Sequence, residues 1–444
     1  MSPNQSAKDE TGFLLFAQNH KIENILFFLI LLFLPTQLGR HFWPSFSYIS
    51  GIRIDYLSPT VYLTDVLILL LLIFFISRLK LRSPLLIFKK FPWFSLNLLF
   101  LIFIFLIGIL ISKNPGAGFY GLLKFLEFVF LGIYTARFVT KINFKKILLV
   151  FSIPIIFESL LSFTQYLRQS SIGGIFYFFG ERTFNGQTPG IANASLDGEL
   201  ILRAYGTFSH PNVLGGYLVL AMTLILFNLK IIKNKLEKFF YFICLAVGTL
   251  GLFLTFSRIA LLLWLSILVI FIVFRIGGNF FKKNAFPIFI FIVLIIFFIF
   301  YTSLLLRFSI LSFSDESFSQ RSELFRSSLA IIKKHLLFGT GLNNFLLEFS
   351  LSQKTDKIIF YLQPVHNIFL LAAAQAGILG FIYFIYFLSK TFQRIFKKGN
   401  LANYKVIVFL SVLILGSFDH YFLTIQQGQL LLSFIFGLMW SKND

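Results

Sequence analysis

The chain has 444 residues, of which 57% are hydrophobic and only 13% charged. A soluble protein carries about 25% charged residues, so a soluble fold of this size is excluded, and so is disorder. The net charge of +21 is read as basic loops that orient a membrane protein, not as a nucleic-acid surface, and the single cysteine, Cys244, excludes an internal disulfide or a thiol zinc site.

An apolar run of ~20 residues spans a bilayer as a helix. Twelve such runs occur, at about 22–39, 61–78, 95–112, 118–138, 146–166, 211–229, 238–256, 258–274, 285–306, 366–389, 404–420 and 424–440. The expected fold is therefore all-α: a polytopic membrane protein of about twelve transmembrane helices, one integral membrane domain over 1–444. More than twenty residues precede the first apolar core and no A-x-A site follows it, so a cleavable signal peptide is not expected. No internal repeat is visible.

Bases concentrate after the even-numbered spans. They are Arg78, Lys80, Arg82, Lys89 and Lys90; Arg137, Lys141, Lys145 and Lys146; Lys230, Lys233, Lys235 and Lys238; Arg275, Lys282 and Lys283; and Lys390, Arg394, Lys397, Lys398 and Lys405. By the positive-inside rule both termini are then cytoplasmic. Two long segments, 167–210 and 307–365, fall outside, and segments of that length are expected to carry function. In the second, Ser317 and Gln320 have capping-box spacing and Leu324, Ser328, Ile332 and Leu336 keep one stripe, so a helix is predicted that ends at Gly339 and Gly341. It is expected at the membrane interface. Within the apolar cores, Lys124 and Glu127 are expected to pair, and Glu158 lies near Pro154.

Four clusters share the outer face. Arg203 to Asn212 leads into the sixth span, where His210 and Asn212 are either interfacial caps or part of a site. Thr255 to Arg258 is the whole turn between the seventh and eighth spans, and an arginine there either snorkels or meets an anion. Arg321 begins the loop helix, where phosphate or plain solvent would suit it. Gln363 to Asn367 opens the tenth span, and Gly377 follows His366 by about three turns, on nearly the same side of the helix. His366 alone reads as a cap. Two arginines and a histidine on one face also suit the transfer of a group carried on a lipid diphosphate: guanidiniums hold the leaving diphosphate and histidine takes the proton of an acceptor hydroxyl. No dense carboxylate cluster marks this face, which argues against a metal.

These motifs resemble the O-antigen ligase and polymerase superfamily of bacterial membrane glycosyltransferases. The resemblance rests on Ile54 to Asp65, Gly206–Thr207–Phe208 with Pro211–Asn212, Thr255 to Arg258, and Arg321 to Phe325 with Gly339 and Gly341. It rests also on His366–Asn367 followed by Gly377 and Gly380, and on Asp419 to Thr424 with Gln427–Gly428. It implies a GT-C-like fold with a large extracytoplasmic loop, 307–365, between spans 9 and 10, and a ligase-related core at about 203–390. It implies a multi-pass protein of the bacterial inner membrane, in polysaccharide or lipopolysaccharide biosynthesis, with its active site facing outward. The implied donor is a glycan on undecaprenyl diphosphate and the acceptor a glycan, lipid or protein; transfer would invert, with no cofactor and no metal. Carried over by position, Arg258 and Arg321 would hold the diphosphate and His366 would be the general base. Arg203, His210, Asn212, Asn367 and Asp419 are further substrate-binding candidates. Ligase and repeat-unit polymerase stay equally open, and a lipid-glycan flippase is the alternative of another class.

Overall fold

The computed structural model describes residues 21–78, 92–139, 141–196, 199–273, 316–352, 362–396 and 403–441. The expected ninth span, 285–306, lies outside these residues, as do Lys80, Arg82, Lys89, Lys90, Arg275, Lys282, Lys283, Lys397 and Lys398 of the basic loops. Each of the other eleven expected spans contains a helix. In chain order these are α1 (21–32), α2 (Leu63–Arg78), α3 (Pro92–Leu110), α4 (Pro115–Phe138), α5 (Lys141–Arg168), α6 (Pro211–Asn228), α7 (Lys235–Leu254) and α8 (Arg258–Val273). After α9 (Glu316–Lys334) and α10 (Phe345–Ser352) come α11 (Ile368–Ile395), α12 (Tyr404–Phe418), the short α13 (Tyr421–Thr424) and α14 (Gln426–Trp440). Five stretches, Pro115–Phe138, Phe144–Arg168, Pro211–Ile231, Lys235–Leu254 and Ile368–Ile395, are long and apolar enough to cross a membrane by length and composition. Four more apolar helices are shorter.

At the centre stands α6, with every residue but Asn212 buried. A helix apolar all round is a core helix, and α5, α7, α8, α12 and α14 pack around it. Gly216 permits the closest approach: a Cβ there would sit 2.0 Å from the Tyr421 hydroxyl.

The loops are less purely helical than expected. Strands β1 (Gly39–His41) and β4 (Thr60–Tyr62) pair antiparallel, as do β2 (Tyr48–Ile49) with β3 (Ile52–Arg53), and β5 (Asn193–Leu196) with β6 (Glu199–Leu202). The first expected span is thus too long at its end. Its helix stops before Pro35, which has no N–H to continue it, and Gly39 already belongs to β1.

In the large loop the predicted helix is α9, but its buried stripe is Leu324, Ser328 and Ile331. Leu336 lies beyond the helix and is exposed. A second helix, α10, was not expected.

The Gly377 reading also changes. Gly377 is not a small residue on one side of a continuous helix but a break in it, with φ 64° and ψ −174°. The segment after α9 inserts there: Thr340 N–H donates to Ala374 O at 2.9 Å, Gly341 N–H to Gln375 O at 3.1 Å and Ile378 N–H to Leu336 O at 2.8 Å. A side chain at Gly377 would meet the Leu337 carbonyl at 2.2 Å, and one at Gly339 the Gln375 backbone at 2.4 Å. Both glycines have positive φ, so close approach and backbone conformation each require glycine. The break locks the large loop to the helix that His366 precedes.

Candidate functional site

The segment 169–210 is tied to α5 by three buried side chains. Glu158 accepts from the Thr207 N–H (2.8 Å) and hydroxyl (2.7 Å). Gln165 accepts from the Tyr205 and Gly206 N–H groups and donates to Gly206 O and Glu181. Glu181 in turn accepts from the Ile172 and Gly173 N–H groups at 2.8 and 2.7 Å.

From this frame a chain of polar contacts crosses the top of the bundle. Arg203 donates from Nε to Thr255 O at 2.8 Å, satisfying a carbonyl at the end of α7, and from its guanidinium to Asn212 Oδ1 at 2.6 Å. Asn212 donates to Asp419 Oδ2 at 2.9 Å, and Asp419 Oδ1 accepts the His420 N–H at 2.8 Å. That same oxygen lies 3.5 Å from His366 Nδ1. His366 Nε2 is 3.3 Å from the Gln363 side-chain amide. The His420 ring lies 5.0 Å from that of His366, edge-on to Tyr56, with Nδ1 2.7 Å from the Thr424 hydroxyl.

His366, His210 and Asp419 line a cavity of about 2110 Å³. Arg203, Asn212, Arg258, Arg321 and Asn367 do not line it. Two of the expected site residues are helix caps. Asn367 accepts from the Phe369 and Leu370 N–H groups at 2.9 and 3.0 Å, and His210 Nδ1 accepts from the Asn212 N–H at 3.1 Å. Arg258 opens α8, half-buried. Arg321 is exposed on α9, yet its charge reaches His420.

Four cavity-lining groups were not among the expected site residues: Arg182, His41, Lys124, which was expected only to pair with Glu127, and His420. Arg182 is exposed in the 169–210 segment, and its charge acts on His41, Tyr56, Tyr62 and Tyr205. Lys124 pairs with Glu127 at 3.3 Å as expected, but it also pairs closely with Asp65, which a Gln426 amide and the Tyr62 N–H bond as well. Asp65 is the third residue of α2 and Gln426 the first of α14, whereas Lys124 and Glu127 stand near the middle of α4.

Burial, aided by the Arg203 charge, holds the His210 ring down to about 3. Burial, aided by the His366 ring and Arg321, holds His420 to about 3 against the pull of Asp419. Burial alone would raise Asp419, but the neighbouring His366, His420 and His210 rings hold its carboxyl well below the carboxylate range. A histidine with a depressed value stabilises the fold above its unfolded value, near 6.5, and that stability drains as pH falls towards 3. Asp419 acts with the same sign at lower pH. The unfolding temperature in detergent is therefore expected to fall steadily from pH 7 to 4, and His420→Gln to flatten part of that slope. A midpoint constant over this range would mean that these rings are solvated.

Chemically the site offers a carboxylate beside one imidazole nitrogen and the Gln363 side-chain oxygen beside the other, with both side chains lining the cavity. The ligand atoms of His366, Asp419 and His420 also lie within 4.8 Å of one another, so these three side chains could share a cation.

A membrane-embedded helical protein with a histidine–carboxylate pair at the head of a large cavity is the class these features define. Residues 240–385, from α7 through most of α11, match the family model described as O-Antigen ligase. The match covers about a third of the chain and supports membership of the O-antigen ligase superfamily, whose members are ligases or polymerases. The matched region holds Arg258, Arg321 and His366, whereas Arg203, His210, Asn212 and Asp419 lie outside it. No curated protein matches the chain.

Proposed function

We propose that the protein transfers a glycan from undecaprenyl diphosphate to an acceptor hydroxyl at the outer face of the inner membrane, with inversion and without a metal. The observation that carries this reading is the Asp419–His366 pair at one end of a cavity that is apolar along most of its length. Assigning the imidazole proton to Nδ1, facing Asp419, leaves Nε2 as the base once the Gln363 side-chain oxygen beside it gives way to the acceptor hydroxyl. It takes the acceptor's hydroxyl proton while the acceptor oxygen bonds to the anomeric carbon and the bond to the diphosphate oxygen breaks. A single displacement of this kind inverts the centre. The leaving diphosphate is then met by the cavity-lining Arg182, and Arg258 and Arg321, which stand outside the lining, would have to reach in to it.

Lysine keeps the charge of these groups but not the planar fork that fits a diphosphate. Arg182→Lys, Arg258→Lys and Arg321→Lys are each expected to lower transfer, mainly through KM for the donor. Full activity in all three would mean that they are anchors only.

The acceptor is read from what accumulates in a deletion strain. Single repeats on undecaprenyl diphosphate at the outer leaflet indicate a polymerase, and long chains there a ligase. The cavity's length favours a second reading, passage of a lipid-linked glycan. That reading requires the accumulated donor to stay at the inner leaflet, an outcome that would end the transferase proposal.

A further inference from the structure

The segment 169–210 contains an uncharged aromatic run, Gly174–Phe179, folded as a 3₁₀ helix of sequence Gly-Ile-Phe-Tyr-Phe-Phe. Ile175 is 67% exposed, Tyr177 58% and Phe178 69%. Phe176 and Phe179 turn towards α5, where their rings lie 6.2 and 5.4 Å from that of Phe157. None of the six residues is among the described lining residues of the cavity headed by His366. The run therefore presents a large apolar surface to something other than the contents of that cavity.

Phe157 sets the depth of this run. α5 is long and apolar enough to cross a membrane over Phe144–Arg168, and Phe157 stands eleven residues before its end at Arg168. The one proline of α5, Pro154, precedes this stretch, so the distance along it is roughly 16 Å. The headgroup region of one leaflet is only about 5–7 Å thick. Above Phe157, Leu160, Phe163 and Leu167 are exposed apolar side chains, so the lipid-facing stripe of α5 continues almost to its end. The 3₁₀ helix lies below that level. It hangs from Glu181, which Gln165 holds at 2.8 Å, eight residues nearer the end of α5 than Phe157. Irregular backbone in lipid must meet its own hydrogen bonds, and here it does so. Phe176 N–H donates to Gly173 O at 3.3 Å, and Glu181 N–H to Phe176 O at 3.0 Å. Gly180 N–H donates to Tyr177 O at 3.0 Å, and Phe179 O accepts the Thr36 hydroxyl at 2.7 Å.

We infer that Gly174–Phe179 is a re-entrant wedge whose Ile175, Tyr177 and Phe178 side chains insert among the phospholipid acyl chains of the leaflet at the His366 end. Its depth beside α5 selects this occupant, because a soluble partner would have to enter the bilayer to reach it. Aromatic side chains also suit the boundary between headgroups and hydrocarbon. An exposed apolar patch of this kind marks an interaction surface, and the membrane is the surface within its reach. Arg182 follows Gly180 by two residues and lines the cavity, so the wedge ties one rim of the cavity to the lipid. The inference does not depend on the transfer reaction, and either can fail without the other.

The test places a nitroxide label, one at a time, at Ile175→Cys, Tyr177→Cys and Phe178→Cys in a Cys244→Ala background, since Cys244 is the sole cysteine and is buried. All three positions are exposed, so labelling disturbs no core and three sites guard against one variant failing to fold. Gln187→Cys, exposed in a polar turn, is the control. The full chain is reconstituted in vesicles of phosphatidylcholine and phosphatidylglycerol. Relaxation of each label by oxygen, which concentrates in hydrocarbon, is compared with relaxation by a water-soluble nickel chelate. Oxygen is expected to dominate at 175, 177 and 178, and nickel at 187. Nickel dominating at 175, 177 and 178 would overturn the inference. Spin–spin broadening at 178 that vanishes on dilution with unlabelled protein would overturn it too, because it would seat a second copy of the chain where lipid is expected.

Discussion

His366→Ala is expected to lower transfer by about 10²- to 10⁴-fold, the usual contribution of a positioned general base, while the protein stays in the membrane at normal level. The structure sharpens this expectation, because the rival role for His366, capping α11, is filled by Asn367. Truncating His366 therefore removes no cap. It leaves the Asn212 contact and the His420 N–H on Asp419 in place. On the proposed mechanism donor binding should also survive, since there the arginines and not the imidazole meet the diphosphate. His366→Gln offers a hydrogen bond but cannot serve as the base, and should fail with alanine. Transfer and membrane abundance measured side by side decide the matter: an active, abundant His366→Gln protein would remove the histidine from the mechanism.

The helices were legible because a span announces itself as an apolar run, and eleven of the twelve expected runs contain a helix among the described residues. What escaped the sequence reading depends on contacts between distant segments. Asp65 and Lys124 are 59 residues apart, and the local i,i+3 partner Glu127 was the only one visible in sequence. His366 and Asp419 share no spacing rule, so the pair emerges only when the end of α12 comes to rest beside the start of α11. Arg182 carries no motif and lies on an irregular segment held by Glu158, Gln165 and Glu181, whose bonds are mostly to backbone groups. The glycine pattern Gly377-x-x-Gly380 was visible, but a helical run of apolar residues gives no sign that a loop inserts at the first glycine. Positive φ is a property of the assembled backbone.

Asp419→Asn carries the second large expected effect. Asparagine is nearly isosteric but keeps one acceptor oxygen; placed at the Asn212 amide it holds the polar chain from Arg203 together, and the His420 N–H loses its acceptor. What also disappears is the negative charge 3.5 Å from His366 Nδ1. That charge favours the tautomer with Nδ1 protonated and stabilises the imidazolium formed when the acceptor's proton is taken. In a hydrolase triad the corresponding change lowers kcat by ~10⁴-fold. Here the contact is longer, and a loss of about 10²-fold or more is expected, in kcat and not in KM for the donor. A purely structural Asp419 predicts the reverse: asparagine would be tolerated, or protein level and kcat would fall together. An ion-ligand role for His366, Asp419 and His420 predicts something different again, that a chelator inactivates the unaltered enzyme and a divalent cation restores it. Chelator-resistant activity in the unaltered protein, with a kcat-specific loss in an abundant Asp419→Asn protein, is the combination that only a charge orienting a base produces.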